Sequence, residues 1–120
     1  MPAYVIVEMK ISDPERYKEY MAAGYIVVEM KISDPERYKE YMAAAPATIA
    51  AAGGEYLVRG GKSETLEGQW NPVRVAILKF PTYDQAKAWH DGERYRQARA
   101  KRAGATEFFN MVLVEGVPTA

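Results

Sequence analysis

One twenty-residue segment occurs twice in this chain. Residues 4–23 read YVIVEMKISDPERYKEYMAA, and residues 25–44 repeat them with only one Val-Ile pair in exchanged order. Solenoid proteins are built from at least three repeats that diverge in sequence while keeping a pattern. No third copy follows in this chain. The duplication therefore indicates a recent or engineered event rather than a repeat architecture.

Each copy predicts a strand followed by a helix. In the second copy, apolar residues recur at the period of two that is typical of a strand: Ile26, Val28, Met30 and Ile32. The letters SDPE then predict a helix start, with either Asp34 or Ser33 as the N-cap. We expect this helix to kink at Pro46 and to end at Gly53 and Gly54. The first copy instead meets Gly24 after a short helix.

The remaining sequence completes a familiar order of elements. Strands are predicted for Glu55–Arg59, for Val73–Phe80 and for the run TEFFNMVLVEG. Between the last two lies a helical region that pauses at Gly92, with a capping box at its start. With one repeat set aside, the order is βαββαβ, which predicts a ferredoxin-like α+β fold with an antiparallel sheet and helices on one face. We expect a single domain over residues 1–120, in which residues 4–24 and 25–45 form the duplicated β-α units.

Composition excludes several classes of function. The 16 basic and 16 acidic residues cancel, which disfavours nucleic acid or an anionic membrane as a partner. The chain has no cysteine and one histidine, so we expect neither a metal site nor a cofactor built on such ligands. No apolar run reaches the length of about 20 residues that spans a bilayer. Because no secretion signal is visible either, we expect a cytoplasmic protein.

The predicted sheet has apolar side chains on both of its faces. Helices cover one face, and Tyr25, Val27, Phe108 and Val112 fall on the other. The chain has no further helices to cover that second face. A second copy of the same sheet is the simplest cover, so the sequence predicts a homodimer.

Three candidate ligand-binding residues lie at or after the end of the second strand. Arg59 precedes two glycines, so its planar guanidinium can hold a carboxylate or enolate where the backbone turns tightly. The following loop, KSETLEGQWNP, is longer than an ordinary hairpin connection. Glu67 and Trp70 in this loop, with Glu64, are candidates to roof a cavity. The alternatives are a surface arginine, solvated glutamates and a tryptophan that only plugs the barrel.

Two further candidates come from the third strand and the second helical region. A charge at Arg74 on a buried face demands a partner, and Glu29 on a neighbouring strand predicts a salt bridge with it. His90 is the single histidine and thus the one candidate for an imidazole general base, although a lone helical histidine is more often a surface residue. The basic segment ERYRQARAKR is typical of a solvated helix face with Tyr95 and Ala98 turned inward.

The chain resembles a family of small bacterial proteins known as domain of unknown function 1330. The resemblance covers residues 25–117, or equally residues 4–117 with one repeat removed, and rests on the motifs GGEYLVRGG, LEGQWNPVRVAILKF, AKAWHDGERYRQAR and the closing VEG. It implies the dimeric α/β-barrel superfamily, in which two ferredoxin-like sheets pack face to face around a cavity. That superfamily includes monooxygenases and isomerases that act on small aromatic or lactone substrates without metal or flavin. The family itself has no settled activity.

The sequence leaves two hypotheses for function and three for the extra copy. The chain is either an engineered tandem-duplication variant of a bacterial scaffold, made to probe folding or assembly, or a small-molecule-binding or cofactor-free enzymatic domain. The first copy either adds an edge strand, exchanges with a partner molecule, or stays outside the fold. Exchange would make the duplicated segment part of the homodimer.

Overall fold

The computed structural model describes residues 2–8 and 22–118. Four strands form one antiparallel sheet in the order β2-β3-β1-β4. Three helices connect them, so the predicted βαββαβ order is confirmed, with its second helical region divided in two. The elements are β1 Gly24–Ile32, α1 Pro35–Ala51, β2 Glu55–Arg59, β3 Arg74–Phe80, α2 Tyr83–Asp91, α3 Glu93–Ala100 and β4 Thr106–Glu115. None of the helices in the described ranges is long and apolar enough to cross a membrane.

The second copy of the repeat forms β1 and α1. Residues 2–8, which open the first copy, lie outside helices and strands, and their side chains at Val5 and Val7 are exposed. Residues 9–21 complete the first copy and lie outside the described residues. The extra β-α unit, its pairing at a sheet edge and its exchange between molecules therefore stay predictions.

Local sequence signals set the ends of α1. The carboxylate of Asp34 accepts a hydrogen bond from the Arg37 amide at 3.2 Å, which makes Asp34 the N-cap, and Pro35 opens the helix. The helix continues through Pro46 and ends before Gly53, whose φ of 82° stops it as predicted. This length lets the helix bury Thr48 and Ile49 beyond the proline.

The second helical region begins at the predicted capping box. The Thr82 hydroxyl accepts a hydrogen bond from the Gln85 amide at 3.1 Å. Gly92 separates α2 from α3 in an extended conformation, as the sequence predicted. Trp89 on α2 is buried, and so are Tyr95 and Ala98 on α3.

The core lies between one face of the sheet and the three helices, and we call that face the inner face. Ile26, Val28 and Met30 of β1 point into it and pair across the sheet with residues of β3 and β4. The most deeply buried side chains include those of Tyr95 and Phe80. Apolar burial on this scale is the main stabilising contribution to a domain of this size.

Two tyrosines from different helices share a buried hydrogen bond in this core. The Tyr41 and Tyr95 hydroxyl oxygens lie 2.7 Å apart, and the two rings meet edge to face. Burial raises the pKa of Tyr41 far above its usual value. This pair joins α1 to α3, because the hydrogen bond between the two hydroxyls leaves neither of them unpaired in the core.

Removing both hydroxyls of this pair is expected to destabilise the fold by less than the two single removals added together. In Tyr95→Phe, the Tyr41 hydroxyl loses its partner, which costs about 1–3 kcal/mol of unfolding free energy. Tyr41→Phe/Tyr95→Phe leaves no unpaired polar group, so its loss should be smaller than the sum of the two single losses. Urea unfolding of the four proteins measures the coupling, and additive losses would contradict it.

Candidate functional site

A narrow cleft opens between the inner face of the sheet and α1. Its cavity volume is about 30 Å³, which suits one or two water molecules. Aromatic, methionine and aliphatic side chains make up most of its wall. The residues of this wall include Met30, Tyr38, Met42, Tyr56, Arg59, Arg74, Phe109 and Met111.

Two arginines line this cleft from neighbouring strands. Arg74 pairs with Met30 across the sheet and therefore points to the inner face. Arg59 ends β2 beside it, and its guanidinium lies 4.6 Å from the centre of the Tyr56 ring. Within the described part of the chain, neither arginine forms a salt bridge. The cleft thus holds two positive charges that no carboxylate of the described residues neutralises.

Gly60 allows the Arg74 side chain to lie against the backbone. Gly60 has φ of 72°, and a Cβ atom there would lie 2.6 Å from the Arg74 Nη2. Its amide also donates to the Val75 carbonyl at 2.8 Å, which closes the end of the β2-β3 pair. Gly60 thus allows the backbone to turn and also leaves room for the Arg74 guanidinium beside it.

Tyr38 places a phenolic hydroxyl on the wall of the cleft. The hydroxyl donates to the Met30 sulfur at 2.9 Å, and a thioether is a weak acceptor. Burial raises the pKa of Tyr38 to about 12, while the nearby positive charges of Arg74 and Arg102 act in the opposite direction. The helical spacing of Tyr38 in the sequence is typical of a core residue, and nothing in that pattern distinguishes a cleft-lining tyrosine from a packed one.

The predicted salt bridge between Glu29 and Arg74 is wrong. Adjacent residues of a strand point to opposite faces, so Glu29 lies on the outer face while Met30 and its partner Arg74 lie on the inner one. The Glu29 carboxylate accepts hydrogen bonds from Trp70 Nε1 at 2.8 Å and from Asn110 Nδ2 at 3.1 Å. Two neutral N–H donors thus provide hydrogen bonds to the half-buried Glu29 carboxylate.

Trp70 lies on the side of the sheet opposite to the cleft. The loop that carries it connects β2 with β3, and the Thr65 hydroxyl donates to the Trp70 carbonyl within that loop. The indole then reaches Glu29 over the outer face. Trp70 therefore faces away from the two arginines of the cleft.

The remaining two candidates lie apart from the cleft. Glu67 is exposed in the loop before β3. His90 lies on α2, where its Nδ1 is 3.0 Å from the Asp91 carboxylate and its Nε2 is 3.2 Å from Arg99. The structure thus brings together Arg59 and Arg74, and it separates them from Glu67, Trp70 and His90.

The sequence profile of domain of unknown function DUF1330 matches residues 23–117. The chain belongs to this family. The match begins just before β1 and leaves the first copy of the repeat outside it. No curated protein matches the chain.

Solved structures with low sequence identity share the ferredoxin-like fold of this DUF1330 protein. A protein of unknown function from Rhodopseudomonas palustris is 15% identical with a TM-score of 0.66, covering 82% of this chain and 85% of its own. A dimeric ferredoxin-like protein of unknown function from Thermobifida fusca is 14% identical with a TM-score of 0.53, covering 86% and 99%. A candidate antibiotic biosynthesis monooxygenase from Nitrosomonas europaea is 17% identical with a TM-score of 0.51, covering 88% and 100%.

Substituting Gly60 is expected to displace Arg74 from the cleft. Gly60→Ala adds a Cβ at the place of the Arg74 guanidinium, which can move aside because it is the end of a flexible side chain, and the positive φ is strained, so the unfolding free energy should fall by about 1–3 kcal/mol. Gly68→Ala is the matched control for the strain, because Gly68 has φ of 86° but no atom within 4 Å of the added Cβ. The NMR resonance of the Arg74 Nε–H group should shift in Gly60→Ala and not in Gly68→Ala, and an unchanged resonance in Gly60→Ala would contradict the displacement.

Proposed function

We propose that this domain binds a small organic anion in the cleft between the sheet and α1. The observation that carries the proposal is the pair of guanidinium groups, Arg59 and Arg74, that line an aromatic cleft without a carboxylate partner in the described residues. An arginine fork binds a carboxylate or enolate through two parallel hydrogen bonds. A ligand anion would supply the negative charge that the cleft lacks.

Tyr38 adds a third polar contact to the proposed site. Its hydroxyl donates to the Met30 sulfur, and a ligand oxygen is a better acceptor than a thioether. Exchange of one acceptor for the other needs no large movement of the ring. The site would then combine two charged donors with one neutral donor.

The size of the cleft limits what enters it. A cavity of about 30 Å³ holds a carboxylate-sized group but not an aromatic ring. Met30, Met42 and Met111 form part of the wall, and unbranched methionine side chains repack at low cost. A ligand with a ring therefore requires these methionines to move.

The residues of the cleft favour binding over acid-base chemistry. Among the described residues that line it there is no aspartate, glutamate, histidine or lysine, so none of them suits the role of a general base at neutral pH. Monooxygenase-like chemistry without a cofactor is the second candidate, since the domain shares its fold with the Nitrosomonas europaea protein. In that case Arg59 and Arg74 would stabilise the anion of the substrate.

Benzoate is expected to bind saturably while benzamide, its neutral analogue, does not. Titration followed by amide NMR should move the resonances of Gly60, Arg74 and Met30, because the carboxylate pairs with the guanidinium groups. Arg74→Gln should weaken benzoate binding at least about tenfold, the equivalent of roughly 1.4 kcal/mol.

The matched control is Arg94→Gln, which removes an exposed arginine from α3 and should leave binding unchanged. Acetate tests the size limit, because it fits the cavity without movement of the methionines. Absence of saturable shifts with both carboxylates, or equal weakening by the two substitutions, would contradict the anion site.

The second part of the proposal is a homodimer formed through the outer face of the sheet. Val112 and Val114 of β4 are 54% and 47% exposed there, beside Val27 and Tyr25. Two proteins with this fold, from Thermobifida fusca and Jannaschia, are described as dimeric. Pairing the outer faces of two sheets would cover these valines and place Trp70 at the interface.

The duplicated segment supports a separate proposal about the origin of the chain. The family match covers residues 23–117, so residues 4–22 are surplus to the domain. An engineered duplication that probes folding or assembly accounts for a near-perfect repeat. Exchange of the first copy between molecules, with pairing at a sheet edge of the partner and not in its β1 groove, is the form of assembly that such a repeat favours.

Charge on the outer face is expected to separate the dimer. Static light scattering should give twice the 13.5 kDa chain mass for the unmodified protein and a single chain mass for Val112→Glu, because a buried carboxylate without a partner is costly. Val117→Glu is the control, since Val117 is 86% exposed after the end of β4. A monomeric unmodified protein would contradict the dimer. Assemblies larger than a dimer that disappear when residues 4–23 are deleted, which leaves Gly24 at the start of β1, would support exchange.

A further inference from the structure

One strand fills the groove between β3 and β4, although both copies of the repeat contain a sequence that could form this strand. β1 fills this groove and hydrogen-bonds to both neighbours. On the inner face, the two copies differ only where Val5 corresponds to Ile26. Both copies therefore offer nearly the same side chains to the groove, and these side chains do not determine which copy binds. The choice depends on the residues that flank each copy.

The flanking residue at the entrance of β1 is Gly24, and its counterpart in the first copy is Ala3. A Cβ atom at Gly24 would lie 2.8 Å from both the Thr82 carbonyl oxygen and the Tyr83 Cα. Real Cβ contacts essentially never come this close, and both atoms belong to the backbone. An alanine at this position therefore cannot be accommodated by rotating a side chain.

The backbone at Thr82 is held in place by the start of α2. The Thr82 carbonyl accepts the hydrogen bond from the Ala86 amide at 3.2 Å, and its hydroxyl accepts from the Gln85 amide at 3.1 Å. Moving Thr82 away from a new methyl group would break the first turn of this helix. The helix start thus acts as a steric gate at the entrance of the groove.

We propose that Gly24 admits the second copy to the β1 position and that Ala3 excludes the first. The exit of the segment acts in the same direction. Ala45 is fully buried in α1, and the Thr48 hydroxyl behind it accepts from Trp89 Nε1 at 3.0 Å. The first copy would place Gly24 at the position of Ala45. The groove is therefore an interaction surface whose entrance disfavours Ala3 of the first copy and whose exit favours Ala45 of the second.

A single cysteine reports which copy lies in the groove, because the chain has none of its own. Val7 is 65% exposed, and its counterpart Val28 is 2% exposed. In Val7→Cys, the thiol should react quickly with a labelling reagent, and in Val28→Cys it should react slowly. Labelling of a buried thiol is limited by the opening of the structure.

The test compares Gly24→Ala with Ala3→Gly/Gly24→Ala, each combined with Val7→Cys. Gly24→Ala should lower the melting temperature, whereas Gly61→Ala, where an added Cβ meets nothing within 4 Å, should not. Adding Ala3→Gly should recover part of the loss and slow labelling of the thiol at position 7 about tenfold or more. The recovery arises because the first copy then enters the groove.

Two results would overturn the proposal. One is an equal melting temperature for Gly24→Ala and Gly61→Ala, which would mean that the entrance tolerates a methyl group. The other is rapid labelling at position 7 in Ala3→Gly/Gly24→Ala, which would mean that another feature excludes the first copy. If Gly24→Ala fails to fold, the variant with both changes decides alone, since a folded protein with a protected thiol supports the proposal and an unfolded one overturns it.

Discussion

The central place of β1 in the sheet is the constraint on which the rest of the structure depends. β1 pairs with β3 on one edge and with β4 on the other, so it joins the two halves of the sheet. Its inward side chains pack against the helices in the core. Any segment that fills this position must satisfy both ladders, one apolar face and the steric gate at Thr82.

Alternation along β1 separates two surfaces of different chemistry. Met30 and its partner Arg74 face the cleft, while Glu29 binds Trp70 on the outer face. The cleft therefore contains unpaired positive charge among aromatic and methionine side chains, whereas the outer face combines valines with a satisfied carboxylate. Anion binding is assigned to the first surface and dimer contact to the second because of this division.

The sequence predicted most of the fold because its local signals agree with one another. The capping residues Asp34 and Thr82, the pause at Gly92 and the alternation in β1 each occur where the structure has them. The candidate site was predicted less well. Arg59 and Arg74 do share a cleft, but the pairing of Arg74 with Glu29 was wrong because strand neighbourhood does not determine which face a side chain occupies. Tyr38 was missed because its helical spacing is the same for a core residue and a cleft residue.

The sequence by itself determined the βαββαβ order, the ends of the helices and the existence of two equivalent segments. These properties depend on hydrogen bonds and periodicity within short stretches, which a sequence displays directly. Only the tertiary structure decided which copy forms β1, which side chains line the cleft and which face Trp70 covers. Those outcomes depend on atoms distant in the chain, such as the Thr82 carbonyl beside Gly24, that come together only when the whole sheet and its helices are assembled.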